Sequence, residues 1–375
     1  MFTTIVIFIA ILSILVFAHE LGHFWTARRF GVKAEEFGFG FPPRIGGIYK
    51  NKDGRWKFVW WTKDVEDAGS TIYSLNWLPL GGFVKIKGEQ GDRKEEKDSF
   101  AYQKIWRRCV ILTAGVVMNF AIAAVFLSIG FWIGLPQSLD GINSNARISE
   151  QRIQVMQVMA DSPAEAFGLQ LGDIITSING QDFTSIEPMQ NFIADKEGKE
   201  LQYQILRGEE NLTLNIIPEY REDAGQAGVG IAVAETGLVS YPWYRAIWEG
   251  TKATIFMTWF ILVAFFNLFK DLILGQGAAI EISGPVGIAV ITGQFARLGF
   301  VYLLQFTALL SINLAILNYL PFPALDGGRV LFLLIEKIRG KAVPEKVEAI
   351  AHNTGFILLM ILVLIVTFRD VVKFF

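Results

Sequence analysis

Phe2 to Ala27 reads FTTIVIFIAILSILVFAHELGHFWTA, a stretch whose ionisable side chains are His19, Glu20 and His23. About 20 predominantly apolar residues cross a bilayer as a helix, so the stretch is long enough to span. No basic residue precedes it and no small-x-small cleavage pattern follows, which favours a retained helix over a signal peptide. Residues four apart lie on one helical face, so His19 and His23 can present both imidazoles to a single metal ion. Glu20, one position on, can reach the attacking water as a general base. The chain has 3 histidines, and two of them fall at this spacing around a glutamate. The bland alternative is a polar pair at a helix end facing lipid headgroups. Position weighs against it: His19 lies nine residues before Arg28, about 13 Å along a helix. That depth is within the hydrocarbon, where ionisable groups are costly unless they face a protein-lined cavity.

The rest of the chain shares the apolar bias. Of 375 residues 52% are hydrophobic and 19% charged, and the mean hydropathy is +0.39. Soluble domains carry about 25% charged residues, so this chain is short of polar surface. Val110 to Leu139 and Leu298 to Leu325 carry no charge at all. A soluble enzyme, a disordered chain and a collagenous one are excluded. Cys109 is the 1 cysteine, which rules out an intrachain disulfide and a cysteine-built metal site. No basic block stands alone in a chain of net charge −2, so no nucleic-acid partner is expected.

These patterns predict a polytopic α-helical membrane protein with four transmembrane helices, at 1–27, 109–135, 298–328 and 349–368. Lys and Arg set the orientation. Arg28 to Arg108 holds 17 basic and 11 acidic residues, Gly134 to Arg245 holds 7 and 16, and Arg329 to His352 holds 5 and 3. The first and last of these segments are therefore expected in the cytoplasm, with the middle segment and both termini outside. In the 28–108 loop, Trp56 to Trp61 and Phe83 to Lys87 read as strands around Pro79-Leu80-Gly81-Gly82. Trp56, Trp60, Trp61 and Trp77 suggest a membrane-associated β hairpin or sheet, with a small soluble hairpin as the alternative. Residues 150–220 read as one extracytoplasmic α/β domain. Its signals are a turn at Ser162-Pro163-Ala164, a strand over 174–178 ending at Asn179-Gly180, and a hairpin around Gly208.

Zinc at a His-Glu-x-x-His site needs a third protein ligand and an open position for water. Two candidates exist. Asp326 is the only charged residue between Arg297 and Arg329 and follows Asn318-Tyr319-Leu320-Pro321-Phe322-Pro323-Ala324-Leu325. Its prolines and the following Gly327-Gly328 interrupt the helix, and irregular backbone at membrane depth is tolerated where it lines a cavity or is buried in protein. An aspartate before Gly-Gly would otherwise read as a helix cap. His352 starts the fourth span and reads as an interfacial residue, so Asp326 is the preferred ligand.

The chain resembles the site-2 proteases, a family of intramembrane zinc metalloproteases, in the bacterial branch typified by the regulator of sigma-E protease. The likeness rests on HELGH at 19–23, LPLGGFVKIKGE at 78–89, the PDZ-like SPAEAFGLQLGDIITSING at 162–180, SGPVGIA at 283–289 and NYLPFPALDGGRVLF at 318–332. It implies zinc on His19, His23 and Asp326, with Glu20 activating water. It implies substrate binding by Asn318, which holds the substrate backbone, by Asn119 facing the site, and by Gly81 and Gly82 of a segment that dips into the membrane. It also implies single-pass membrane-protein substrates trimmed beforehand by another protease, such as anti-sigma factors or signal-peptide remnants, in a bacterial inner membrane. Two features depart from the branch. Gly115-Val116-Val117-Met118-Asn119 lacks the proline common at its second position, and there is room for a single PDZ domain where the type member has two. That domain is expected either to bind a substrate C-terminus or to exclude bulky ectodomains. A catalytically silent PDZ scaffold leaves the membrane-depth His-Glu-His unexplained. A zinc transporter would need several such residues along a path, and the chain offers essentially one constellation.

A fifth apolar run, Ala253 to Phe269 within 243–272, is expected to be interfacial or re-entrant. If it crossed, the next span would deliver Asp326 to the outer face, across much of a hydrocarbon core about 30 Å thick from HELGH. Metal–ligand distances near 2 Å forbid that separation. A cysteine placed near Gly277 should therefore react with impermeant thiol reagents from outside the cell. Labelling from the cytoplasm alone would overturn this topology.

Overall fold

The computed structural model describes residues 2–61, 65, 68–139, 142, 146–208, 210–221, 225–275 and 284–374; Gly277 lies outside them. The chain divides into two compact units, one built from 1–126, 251–296 and 306–375, the other from 127–250 and 297–305.

In the first unit α1 (Phe2–Arg29) runs unbroken through the His-Glu-x-x-His stretch. A three-stranded sheet of order β2-β1-β3 follows, with β1 (Ala34–Lys50), β2 (Trp56–Trp60) and β3 (Ile72–Ile86), and then α2 (Ile105–Ile133). Pro79-Leu80-Gly81-Gly82 lies inside β3, where a break between strands was expected. Residues at both ends of β3 pair with β1: Phe37 stands opposite both Val84 and Tyr73. β1 bends likewise, Gly38 and Gly47 both standing opposite Ser74, and Arg44 donates to Glu36 at 2.8 Å across its two arms. Trp56, Phe58, Trp60, Trp61, Trp77 and Leu78 are all exposed, giving the sheet an uncovered apolar surface.

α1 meets the sheet and α2 where side chains are missing. The Ser13 hydroxyl donates to Pro79 O at 2.6 Å and accepts from Gly81 N–H at 3.3 Å. Gly81 has φ +92°, and a Cβ there would collide with Val16. Gly22, inside HELGH, rests on the backbone of Ala114 and Gly115, with no space for a Cβ. Glycine at these positions therefore sets the distance between elements.

The second unit holds a seven-stranded sheet. Its strands are β4 (Leu135–Ser138), β5 (Arg147–Val158), β6 (Ile174–Ile178), β7 (Gln181–Asp182), β8 (Leu201–Arg207), β9 (Glu210–Ile216) and β12 (Ile231–Ser240). The order is β4-β12-β5-β6-β8-β9, with β7 beside β6. Helices α3 (Pro163–Ala166) and α4 (Ile186–Ala194) accompany it, and β10 (Glu219–Arg221) pairs with β11 (Gln226–Gly228). The sheet extends beyond 150–220 on both sides, because β4 and β12 lie outside the segment that carries the turn signals. Those signals are met. Ser162 caps α3, Asn179-Gly180 turns at φ +52° and +77°, and β8 and β9 form the hairpin around Gly208. Ile153, Val155, Ile175, Ile178, Tyr203 and Ile205 fill the core.

The chain then runs through α5 (Trp243–Ile273), α6 (Pro285–Leu298), α7 (Phe300–Asn318), α8 (Asp326–Arg339) and α9 (Glu345–Phe374). The expected span over 298–328 is thus two helices, α7 and the start of α8, divided by the Pro321/Pro323 stretch. Among the described residues five helices are long and apolar enough to cross a membrane: α1, α2, α5, α7 and α9. α5 is unbroken, and Ile255, Phe256, Trp259, Phe260 and Phe266 along it are exposed.

One ion pair anchors the core of the second unit. Arg207 donates from Nε and Nη2 to the two oxygens of Asp173, both at 2.7 Å, and Gln170 N–H adds a third bond at 2.8 Å. Asp173 is 1% exposed. Asp173→Ala leaves a guanidinium without its partner, a loss of roughly 2 kcal/mol once the partial exposure of Arg207 is discounted. Hydrogen exchange of the full-length chain should show faster exchange in β6 and β8 and unchanged exchange in α1 and α2.

Candidate metal centre

α1 supplies His19 and His23 from adjacent turns, both 5% exposed. Asp326 comes from the first turn of α8, 307 residues away from His19 in sequence. Its Oδ2 lies 2.9 Å from His19 Nε2 and 3.2 Å from His23 Nε2, and the two Nε2 atoms are 3.1 Å apart. Three donors at about 2.1 Å from one tetrahedral ion stand roughly 3.4 Å from each other, so these atoms are within a few tenths of an ångström of that arrangement. The carboxylate does not cap α8. Leu325 occupies the cap position without a side-chain cap bond, and Asp326 turns to the imidazoles instead.

Backbone and amide groups set the tautomers. His23 Nδ1–H donates to the Ile111 carbonyl at 2.8 Å, which leaves the Nε2 lone pair facing the group. The Asn119 carboxamide nitrogen lies 3.3 Å from His19 Nδ1, and its buried Oδ1 has no hydrogen-bond partner. Turning the amide over puts that oxygen against Nδ1, where it accepts the ring proton and frees His19 Nε2 in the same way. Ser311 donates to the Asn119 carbonyl at 2.8 Å, fastening α7 to α2 at this level.

Room for the group comes from glycine. A Cβ on Gly115 would collide with His23 Nε2 and stand 2.8 Å from His19 Nε2. Gly327 and Gly328 lie against the carbonyls of Tyr319, Leu320 and Phe322, where no Cβ fits, so the proline stretch folds directly onto the N-terminus of α8. Arg329, one turn after Asp326, pairs with Glu89 from the end of the 78–89 segment. Burial works against its charge, but Glu89 and Asp326 more than offset that, and its pKa moves up.

A cavity of about 300 Å³ opens beside the group, lined by Val16, His19, Glu20, Leu314, Asn318, Ala324, Leu325 and Asp326. The structure thus brings His19, Glu20, His23, Asp326 and Asn318 to one place. Asn119, expected at the substrate, is instead fully buried behind His19 and is not among the cavity-lining residues, because its carboxamide packs on the imidazole. Gly81 and Gly82 pack on Val16 and Phe17 of α1, reaching the cavity wall only through Val16. Sequence reasoning missed two participants. Gly115 was read only as part of a motif lacking its proline, although it lies on the face of α2 nearest the histidines. His352, read as interfacial, accepts a hydrogen bond at 2.9 Å from Ala324 N–H in the stretch that delivers Asp326.

Residues 7–362 match the model of peptidase family M50. The chain belongs to peptidase family M50. This M50 peptidase is similar to the regulator of sigma-W protease RasP of Bacillus subtilis, at 30% identity covering 99% of each chain. It is similar also to the zinc metalloprotease RasP of Geobacillus kaustophilus, at 29% identity over 99% of this chain and 98% of that one. Among solved structures, the PDZ domain of an SdrC-like protein from Listeria monocytogenes matches 23% of this chain and 92% of its own length, at 28% identity and a TM-score of 0.22.

The glycine at 115 provides a direct check on the packing. Gly115→Ala should weaken the affinity for added zinc at least about tenfold, the scale on which supporting groups affect a metal site. Gel-filtration behaviour and helical content should be unchanged, and competition with a chromophoric chelator reads the result.

Proposed function

We propose that this M50 peptidase is an intramembrane endopeptidase that holds zinc on His19, His23 and Asp326 and cleaves a peptide bond within a substrate's transmembrane segment. The observation that carries the reading is the convergence of these three ligand atoms beside a cavity that Glu20 shares. The two imidazoles and one carboxylate are a donor set suited to catalytic zinc. Zinc there supplies a Lewis acid that acidifies water and draws electron density from a carbonyl. Glu20 takes a proton from the attacking water as its oxygen bonds to the scissile carbonyl carbon. The same carboxyl then gives a proton to the amine nitrogen as the C–N bond breaks. Asn318, at the end of α7 on the cavity wall, is placed to hold the substrate backbone through its amide.

A helical substrate hides its carbonyls in hydrogen bonds to residues four ahead, so the cleaved segment must unwind. The β1–β3 sheet beside α1 can receive it as an added strand, with Gly81 and Gly82 setting how closely the sheet approaches the site. On this reading α1, α2, α7 and α9 are the four spans of a bacterial inner-membrane protein, with both termini and the second unit's PDZ-like domain outside the cell; the excess of Lys and Arg in 28–108 and 329–352 supports it. α5 then lies along the interface, anchored by Trp243, Trp248 and Trp259; its unbroken course disfavours a re-entrant turn. The substrates of this reading are single-pass membrane proteins already trimmed outside, of which anti-sigma factors and signal-peptide remnants are examples. The domain between α2 and α5 serves as a size filter, since it is tethered at both ends.

Glu20→Gln should keep zinc and lose cleavage of a model transmembrane substrate by about 10²-fold or more. Asp326→Asn should lose zinc, because a neutral amide oxygen is a poorer ligand than a carboxylate. Elemental analysis and a cleavage assay run on the same preparations separate the two roles. Zinc retained by Asp326→Asn, or cleavage retained by Glu20→Gln, contradicts the assignment.

A further inference from the structure

Asp326 is delivered by an unusual piece of backbone. Ala324, two residues before it, sits at φ +83°, a conformation that favours glycine and that an alanine adopts at a cost. Its N–H points to α9, where His352 Nδ1 accepts it at 2.9 Å. Because Nδ1 is the acceptor, the ring proton sits on Nε2. That nitrogen makes no direct hydrogen bond and faces Glu348 Oε1 at 3.8 Å. The ring is held on one side by Phe332 of α8, with centroids 5.5 Å apart. One turn on, Gly355 packs against the Pro323 carbonyl with no space for a Cβ. His352 thus spends its one lone pair on the strained turn between Pro323 and Asp326, and α9 closes directly over that turn.

We propose that His352 is a positioning residue for the metal centre: by accepting the Ala324 N–H it holds the left-handed turn that aims Asp326 at His19 and His23. This inference rests on the reading of those three residues as the zinc site. His352 touches neither metal nor substrate in it. Without that acceptor nothing offsets the cost of positive φ at Ala324, so the turn is free to relax to negative φ and swing the following carboxylate out of line.

The test separates the acceptor from the shape of the ring. His352→Phe keeps a flat ring against Phe332 and removes the acceptor. His352→Asn shortens the side chain but keeps an acceptor oxygen where Nδ1 stands, whereas His352→Gln moves it one bond further. Zinc affinity of each purified full-length variant is measured by competition with a chromophoric chelator, beside the wild type and Asp326→Asn. The expected result is a loss of about tenfold to a hundredfold in zinc affinity for His352→Phe and His352→Gln, the scale for groups that orient metal ligands. His352→Asn should stay within about threefold of wild type. Ala324→Gly, which accepts positive φ freely, should restore affinity when combined with His352→Phe. Wild-type affinity in both His352→Phe and His352→Gln, or an equal loss in the Asn and Phe variants with no rescue by Ala324→Gly, overturns the inference. Should His352→Phe fail to fold, the Gln and Asn pair reads the same distinction. A wild type that binds no zinc would instead sink the metal reading itself.

Discussion

Everything in the membrane unit answers to one distance. Three ligand atoms, two on α1 and one 307 residues from His19, must approach within about 3.4 Å of each other if one ion is to touch all three. Side chains on neighbouring helices normally keep helix axes 8–10 Å apart, and that gap has to be closed locally. The chain closes it by removing Cβ atoms. Gly22 lets α1 rest on the α2 backbone at Ala114, Gly115 leaves space for both imidazoles, and Gly327 and Gly328 let the proline stretch lie on α8. Chemistry and packing are therefore one problem here.

The same constraint explains which helix ends where. A continuous helix through 300–339 would have carried the Asp326 carboxylate past the histidines along a straight axis. Pro321 and Pro323 stop α7 at Asn318, and the turn at Ala324 restarts the chain as α8 with Asp326 in its first turn. An acidic side chain there also benefits from the positive end of the α8 dipole. Asn318 and Leu325 then border one cavity from opposite ends of the break. Irregular backbone placed among packed helices is the arrangement expected where a membrane protein must do polar chemistry.

Much of this is legible in the sequence. The i, i+4 histidines need only a helix to meet, and α1 is apolar enough to be one. Asp326 stands out as a lone charge after two prolines, and the Asn-Gly and Gly208 turns of the second unit follow from local backbone preference. What stayed hidden depends on contacts between distant segments. Nothing in Gly115-Val116-Val117-Met118-Asn119 says that the glycine faces two imidazoles or that Asn119 sits behind His19. The double pairing of β1 with β3 has no periodic signature, because Pro79-Leu80-Gly81-Gly82 reads as a break. His352 looked interfacial because its partner is a backbone N–H, and a sequence shows no hydrogen bond to a main chain. The break within 298–328 is legible from Pro321, Pro323 and Gly327-Gly328; what the sequence does not show is that α7 ends at Asn318 and α8 begins at Asp326.

The proposed site puts two imidazoles of α1 and the carboxylate of Asp326 on one zinc ion. X-ray absorption at the zinc edge, on the full-length chain loaded with one equivalent of metal, reads that shell directly. The expected spectrum has nitrogen and oxygen neighbours at about 2.0–2.2 Å, with the outer-shell scattering of two imidazoles. Scattering from a single imidazole, or a sulfur neighbour near 2.3 Å from Cys109, would contradict it.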